Sequence, residues 1–257
     1  MIVKFRNFVI VLCVLFLFIP LYQDAKAKEK VDSRLWEKAL KIHDEAIVID
    51  THCDTPMAIM EKGLDLGQKL KSGEVDFIRM KEGGVDASFF AVFVSNRLDD
   101  KHPAKKALEM IDEIYNQVDN HPDLAEIAYS PSDIKRVHQS GKRAILIGME
   151  NGGPIEKSLR LLRDYYRLGV RYITLTHSRH NDICDSSTGG EPKWNGLSAF
   201  GEEVVAEMNR IGMIIDVSHI SDEAFRDVLR VSKAPVFASH SCVRAICNVP
   251  RNLGDDM

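Results

Sequence analysis

The chain has 257 residues, of which 45% are hydrophobic and 28% are charged, and its formal net charge is −4. This composition is typical of a globular chain with a buried core, in one large domain or two small ones. It excludes wholesale disorder, a collagen-like fibre and a polytopic membrane protein. The slight negative charge gives no reason to expect a nucleic-acid partner, and five cysteines are too few for a disulfide-dense scaffold.

The N-terminal segment has the three parts of a secretory signal peptide. Two basic residues precede an apolar run over residues 8–22, and an Ala-Lys-Ala cleavage site ends at Ala27. The apolar run is shorter than the ~20 residues that a spanning helix needs. We therefore predict a signal peptide over residues 1–27, a mature domain over residues 28–257 and a secreted or periplasmic protein. An uncleaved signal anchor is the alternative, and it would be the only membrane contact.

Six segments of the mature chain share one pattern, a short apolar run that ends in polar residues. Such runs are typical of strands buried on both faces of a parallel sheet. The predicted strands are residues 46–52, 87–94, 144–150, 172–177, 213–219 and 235–240. Between strands, helical periodicity occupies residues 104–118, 155–168, 200–211 and 222–231, and residues 62–75 form a polar excursion.

Strands that alternate with helices predict βαβ units, in either an open doubly wound sheet or part of a (β/α)₈ barrel. The GxGxxG fingerprint of a dinucleotide-binding sheet is absent after the first strand. Polar residues instead follow nearly every strand, as they do at the active-site face of a barrel. We therefore predict an α/β fold, a TIM-like (β/α)₈ barrel of the metal-dependent hydrolase type. Only about six of its eight βα units are found in this sequence.

Ligand-type side chains stand at the ends of these strands. The first strand ends in His52 and Asp54, the third in Glu150, the fifth in His219 and the sixth in His240. Imidazoles and carboxylates together suit divalent metals, zinc foremost. Two such ions can share a bridging carboxylate and a bridging hydroxide, which is a nucleophile at neutral pH. Each residue alone could be structural, so their joint placement is what predicts a metal site.

Five motifs resemble those of the membrane dipeptidase (renal dipeptidase) family of zinc peptidases, in order and in spacing. The motifs are His52-Cys53-Asp54-Thr55-Pro56, Gly148-Met149-Glu150-Asn151-Gly152, Leu175-Thr176-His177, Asp216-Val217-Ser218-His219 and Ala238-Ser239-His240-Ser241. The resemblance extends from about residue 47 to residue 257, nearly the whole mature chain.

This resemblance implies a zinc-dependent dipeptidase, which hydrolyses the peptide bond of dipeptides through a metal-bridging hydroxide. It implies two Zn²⁺ ions per chain. His52 and Asp54 would bind one ion, His219 and His240 the other, and Glu150 would be the catalytic bridge between them.

The resemblance also implies two residues that handle the substrate. His177 corresponds to a catalytic histidine that is not a ligand and that contacts the substrate and the oxyanion. Arg251 corresponds to the arginine that binds the substrate carboxylate, and its planar fork suits that task. Asp216 is a candidate hydrogen-bond partner for a histidine ligand. His180 matches no motif position and is expected to be an ordinary surface residue.

Two alternatives stay open. Another dinuclear amidohydrolase-type enzyme would carry a bridging lysine on the fourth strand, but this strand ends in Thr176-His177. The other alternative is an inactive, truncated metal-binding fragment. The family's last two strand–helix units, with their Asp-Phe-Asp-Gly-like segment, have no counterpart here, so the chain as given is expected to be nearly inactive. The oligomeric state is open, a homodimer included.

Overall fold

Parallel strands form one sheet at the centre of the fold. The computed structural model of the protein describes residues 32–95 and 101–257. In this described part the sheet has six strands: β1 Ile49–Cys53, β2 Ala87–Phe93, β3 Ala125–Ile127, β4 Arg143–Glu150, β5 Val170–Thr174 and β6 Ile214–Asp216. The strand order is β1-β2-β4-β5-β6, and β3 pairs with the beginning of β4.

The helices follow the strands along the chain. They are α1 Ser33–Glu45, α2 Thr55–Lys62, α3 Phe77–Glu82, α4 Pro103–Asn120, α5 Pro131–Gln139, α6 Leu159–Arg167, α7 Ala199–Ile211 and α8 Asp222–Val231. Helix α1 belongs to a separate unit that ends at Glu45, and everything else described belongs to the unit Ala46–Met257. Four helices begin at a serine whose hydroxyl accepts an otherwise unpaired backbone N–H, and these serines are Ser130, Ser158, Ser198 and Ser221.

The outer face of the sheet is covered by the helices. Alternate residues of β4, such as Ile145 and Ile147, pack in one core with Ile114 of α4, Leu162 of α6 and Val204 of α7. Every residue of β4 is buried, because the helices cover one face and a second apolar cluster, which includes Phe89 and Tyr172, covers the other. Burial on both faces explains why the strands appear in the sequence as continuous apolar runs.

The inner face of the sheet has its own apolar cluster. The ring of Tyr172 from β5 lies 5.1 Å from that of Phe89 on β2 and 5.8 Å from that of Phe237, between ring centroids. Ile134 of α5 belongs to the same cluster. A Cβ at Gly148 on β4 would overlap the Tyr172 ring, so this glycine makes room for an aromatic side chain across the sheet.

The register of the sheet aligns the ends of its strands. Glu150 pairs with Thr174, Thr174 pairs with Asp216, and Asp216 forms an isolated parallel bridge with Phe237. The last strand residues of β4, β5 and β6 therefore lie side by side in one row. Segments that follow these residues leave the sheet at the same edge, where their side chains meet.

The predicted α/β fold with a partial TIM-like barrel is confirmed, and most predicted elements are present. The predicted sixth strand, residues 235–240, was wrong as a strand, because only Phe237 bridges to β6. Pro235 has no N–H to donate, and the N–H of Ser239 goes to the Asp216 carboxylate instead of to a neighbouring strand. Helices α1, α2, α3 and α5 and the three-residue strand β3 were not predicted from the sequence.

The predicted signal peptide, residues 1–27, lies outside the described residues. Over residues 32–95 and 101–257, no helix is both long enough and apolar enough to cross a membrane.

Asp76 should make the stability of the protein depend on pH. Its buried carboxylate accepts the backbone N–H groups of Leu70 and Arg79 and the Arg79 guanidinium. Burial alone would raise the pKa of Asp76, but these hydrogen bonds outweigh it and hold the pKa below its usual value. Stability from this group is present above the unfolded-state pKa of ~3.9 and is lost as pH falls through the folded-state pKa.

We expect Asp76→Ala to lower the free energy of unfolding by ~1–2 kcal/mol at neutral pH, because α3 loses its cap. The measurement is urea unfolding from neutral to acidic pH. The difference from wild type should shrink as pH falls, and Asp76→Asn, which keeps the cap but not the charge, should lie between the two. A difference that is independent of pH would contradict this account.

Gly148 should not tolerate a side chain. We expect Gly148→Ala to lower the free energy of unfolding by ~1–3 kcal/mol, because the added methyl group must displace the Tyr172 ring from a packed interior. Urea unfolding measures the change. The double variant Gly148→Ala with Tyr172→Leu should recover part of the loss. Full stability in Gly148→Ala would show that Tyr172 moves without cost.

Candidate metal centre

Glu150, the last residue of β4, lies at the centre of four imidazole rings. Its Oε1 is 3.1 Å from Nε2 of His219 and 3.2 Å from Nε2 of His240. Nε2 of His177 is 3.5 Å from the same oxygen, and Nε2 of His52 is 3.5 Å from Oε2. Only 6% of the Glu150 side chain is exposed, so rings rather than water surround the charge.

The imidazoles form two ring pairs around this carboxylate. The rings of His52 and His240 are stacked with centroids 3.7 Å apart, and those of His177 and His219 lie 4.3 Å apart. Among the described residues, two groups have ligand atoms close enough to hold a metal ion. One consists of His52, Glu150 and His240, and the other of Glu150, His177 and His219.

The strand register explains how these histidines come together. His177, His219 and His240 each lie three residues beyond a member of the aligned row, which consists of Thr174, Asp216 and Phe237. His219 has a positive φ of 71°, an uncommon conformation for a residue other than glycine. A backbone held in that conformation is typical of functional sites.

Asp54 lies at the rim of the cluster. Its Oδ1 is 3.4 Å from Nε2 of His52, and 61% of its side chain is exposed. It precedes α2 but makes no capping hydrogen bond there. The grouping of ligand atoms differs in three respects from the pairing that the family resemblance implies. Asp54 belongs to neither group, and His177, which the resemblance makes a non-ligand, belongs to one of them. His219 and His240, which the resemblance assigns to the same ion, fall in different groups.

The electrostatics of the cluster favour an ionised Glu150. Burial alone would raise the pKa of Glu150, but hydrogen bonds from His219, His240 and His52 hold it far below its usual range. Burial alone would lower the pKa of His52, but Asp54 and Glu150 raise it to about 9. Burial lowers the pKa of His219 to about 4 and also lowers that of His177. The cluster thus combines a permanent negative charge with imidazoles of different basicity.

The donor set fits a divalent metal ion. Neutral imidazole nitrogens and carboxylate oxygens are the ligands that zinc takes in catalytic sites. Oε2 of Glu150 faces His52, and Oε1 faces His177, His219 and His240. His52, Asp54, Glu150, His219 and His240 could therefore hold the metal.

Arg251 lies beside the cluster. Its guanidinium donates from Nη1 to Ser241 Oγ at 2.7 Å and from Nη2 to the His240 carbonyl at 3.1 Å. Its positive charge is close enough to contribute to the lowered pKa values of His177 and His219. Burial lowers the pKa of Arg251 from its usual value. Arg251 therefore lies next to His240, at the end of the sheet where the histidines meet.

Three buried polar side chains behind the histidines complete the centre. The Tyr172 hydroxyl lies 2.8 Å from Nδ1 of His52, and the Ser239 hydroxyl lies 2.6 Å from Nδ1 of His240. Asp216, fully buried, accepts the Ser239 hydroxyl at 2.7 Å. Asp216 was predicted from the sequence as a partner of a histidine ligand, whereas Tyr172 and Ser239 were not. A tyrosine opposite a glycine within buried strands was the available signal.

His180 was expected to be a surface residue, and this expectation was wrong. Only 14% of its side chain is exposed, and its Nδ1 lies 3.0 Å from Oδ1 of the buried Asp185. The backbone N–H of Ser186 also points to Nδ1, and Nε2 is buried with no hydrogen-bond partner within residues 32–95 and 101–257. The pattern around residue 180 has no strand periodicity, so nothing in the sequence indicated burial.

Comparison with known proteins identifies relatives of the whole described unit. A family model described as membrane dipeptidase (peptidase family M19) matches residues 36–257. Dipeptidase 3 of Mus musculus is 36% identical over 235 residues, which cover 88% of this chain and 47% of that protein. Dipeptidase aclJ of Aspergillus oryzae is 39% identical over 193 residues, which cover 72% of this chain and 46% of that protein. The chain thus spans about half the length of these curated relatives.

Solved structures give the same answer for the fold. The probable dipeptidase PvdM from Pseudomonas aeruginosa superposes with a TM-score of 0.79 at 28% identity, over 87% of this chain and 59% of that chain. A metallo peptidase from Rhodobacter sphaeroides, liganded with a phosphinate mimic of the dipeptide L-Ala-D-Ala, superposes with a TM-score of 0.73 at 25% identity. That match covers 81% of this chain and 69% of the other. The protein described here belongs to the membrane dipeptidase family, peptidase family M19.

Proposed function

We propose that the protein is a zinc-dependent dipeptidase. The observation that carries this proposal is the buried Glu150 carboxylate. It has four imidazole nitrogens within 3.5 Å, and Arg251 lies beside one of these histidines, His240. Family membership and the dipeptidase relatives support a peptide bond as the bond that is cleaved. The dipeptide mimic bound to a solved relative supports a dipeptide as the substrate class.

His52, Asp54, Glu150, His219 and His240 would hold two zinc ions. Bound zinc would polarise the scissile carbonyl and supply a hydroxide nucleophile at neutral pH. The protein's own contribution begins with Glu150, which is held ionised by its histidine partners and would offer its carboxylate oxygens to the metal. The stacked rings of His52 and His240 lie against one side of that carboxylate.

His177 and Arg251 would orient the substrate. His177 is one-quarter exposed, and burial lowers its pKa, so its ring is neutral at physiological pH and its N–H can donate to the developing oxyanion. Arg251 would bind the free carboxylate of the dipeptide with its planar fork. Because this fork lies beside His240, it would limit how far a peptide can extend beyond the scissile bond.

The predicted signal peptide supports an exported enzyme that acts on peptides outside the cytoplasm. We propose this location, secreted or periplasmic, on the N-terminal sequence alone.

Zinc content tests the metal centre. Protein expressed from the complete reading frame should contain about two zinc ions per chain and lose dipeptide hydrolysis when a chelator removes them. Glu150→Gln should lower kcat/KM by at least about 100-fold. This loss exceeds the one expected when a hydrogen-bond partner of a metal-binding side chain is removed. Glu207→Gln, on the outer helix α7, is the control and should retain activity and zinc.

Elemental analysis and a dipeptide assay measure these outcomes. About one zinc per chain, unchanged in His219→Ala and His240→Ala, would refute the dinuclear centre, and hydrolysis after complete chelation would refute the zinc requirement. Residues 1–257 assayed beside the product of the complete reading frame separate an enzyme from an inactive metal-binding fragment.

Substrate selectivity tests Arg251. Wild-type enzyme should hydrolyse dipeptides but neither tripeptides nor C-terminally amidated dipeptides, because these lack the carboxylate at the required distance. Arg251→Ala should lower kcat/KM for a free dipeptide by about 10–100-fold, as expected for lost charge-assisted hydrogen bonds. Arg230→Ala, which removes an exposed arginine of α8, is the matched control. Equal rates with free and amidated dipeptides in the wild type would show that Arg251 has another role.

A further inference from the structure

A buried hydrogen-bonded network connects two of the candidate ligands to one carboxylate. Asp216 has no exposed surface and accepts four hydrogen bonds, from the backbone N–H groups of Ser218 and Ser239 and from the hydroxyls of Thr174 and Ser239. All these partners donate, so the Asp216 side chain acts only as an acceptor. The Asp216 carboxylate therefore determines which atom donates in each hydrogen bond between it and the histidine cluster.

The Ser239 hydroxyl transmits this direction to His240. Because its single proton goes to Asp216 Oδ2 at 2.7 Å, the oxygen must accept from Nδ1 of His240, which is 2.6 Å away. His240 then carries a proton on Nδ1, so Nε2, which lies 3.2 Å from Glu150 and 2.9 Å from Nε2 of His219, is the nitrogen that is left for a metal ion. A neutral histidine binds a metal only through the nitrogen that carries no proton.

The Tyr172 hydroxyl contacts Nδ1 of His52 as the Ser239 hydroxyl contacts Nδ1 of His240. It lies 2.8 Å from Nδ1 of a ring whose Nε2 faces Glu150. A hydroxyl at this position can accept the proton of Nδ1, which leaves Nε2 as the nitrogen that can bind the metal.

We propose that Asp216, Ser239 and Tyr172 are positioning residues that hold His52 and His240 as Nδ1–H tautomers and present both Nε2 atoms to the metal. This inference rests on the proposed zinc dipeptidase function. It deepens that function by naming residues that bind no metal but determine how strongly metal is bound. By contrast, Nδ1 of His177 lies 3.0 Å from the hydroxyl of Ser178, an exposed neighbour on its own loop.

Zinc affinity of the apoprotein, measured by competition with a chromophoric chelator, tests this proposal. Tyr172→Phe and Ser239→Ala should each weaken zinc binding by about 10–100-fold. Ser239→Thr, which keeps a hydroxyl, should recover most of the affinity. Two controls remove buried hydroxyls that touch no histidine. They are Tyr165→Phe, whose hydroxyl donates to the Pro154 carbonyl, and Ser198→Ala, which removes the cap of α7.

NMR of zinc-loaded protein labelled with ¹⁵N-histidine supplies a readout that a loss of stability alone would not produce. Wild type should show Nδ1–H signals of His52 and His240 protected from exchange with water. Tyr172→Phe should remove protection at His52, and Ser239→Ala should remove it at His240. Because the variants affect different rings, either one still tests the proposal if the other fails to fold.

Wild-type affinity and protected signals in both variants would overturn the inference, as would equal weakening in the two controls. Zinc binding that falls as expected, without any dipeptide hydrolysis by the complete protein, would refute the proposed function and leave the inference intact. Dipeptide hydrolysis with zinc affinity insensitive to both variants would refute the inference alone. A wild type that binds no zinc would refute both.

Discussion

The common end of the parallel strands is the constraint on which the centre depends. Glu150, Thr174 and Asp216 are paired in one row, and the chain leaves the sheet after each of them. A shift of one residue in any of these pairings would turn a metal-binding side chain from the inner face of the sheet toward the helices. The reason is that successive strand side chains point to opposite faces. The apolar packing on both faces therefore maintains the geometry of the polar cluster.

The sequence indicated the fold class because buried parallel strands have a strong apolar signal, and it indicated the cluster because ligand-type residues follow those strands. It could not indicate β3, whose three residues are too short for periodicity. The sequence also could not show that residues 235–240 are not a full strand. There the N–H of Ser239 donates to the Asp216 carboxylate instead of to a neighbouring strand, and no local pattern reveals this contact. The position of Tyr172 against His52 joins side chains 120 residues apart, and no local pattern contains such a contact.

The charge arrangement explains why so many imidazoles can share one small site. A buried carboxylate without partners would take up a proton, because desolvation penalises its charged form. At Glu150 the surrounding histidines reverse this preference, and in the absence of metal Asp54 and Glu150 in turn raise the pKa of His52 to about 9. Protons and metal ions compete for the same nitrogens, so the cluster is a cation site before any metal enters it.

The contacts that build the centre are distant along the chain, and this has a kinetic consequence. The Thr51 hydroxyl donates to the Ser239 carbonyl across 188 positions, at 2.6 Å. Contacts of such sequence separation form late, because the loop-closure entropy is lost before they can contribute. A metal ion that recognises the finished cluster therefore has little to bind in the folding transition state. The free energy of metal binding therefore stabilises the native state more than the transition state. It slows unfolding and leaves the folding rate nearly unchanged.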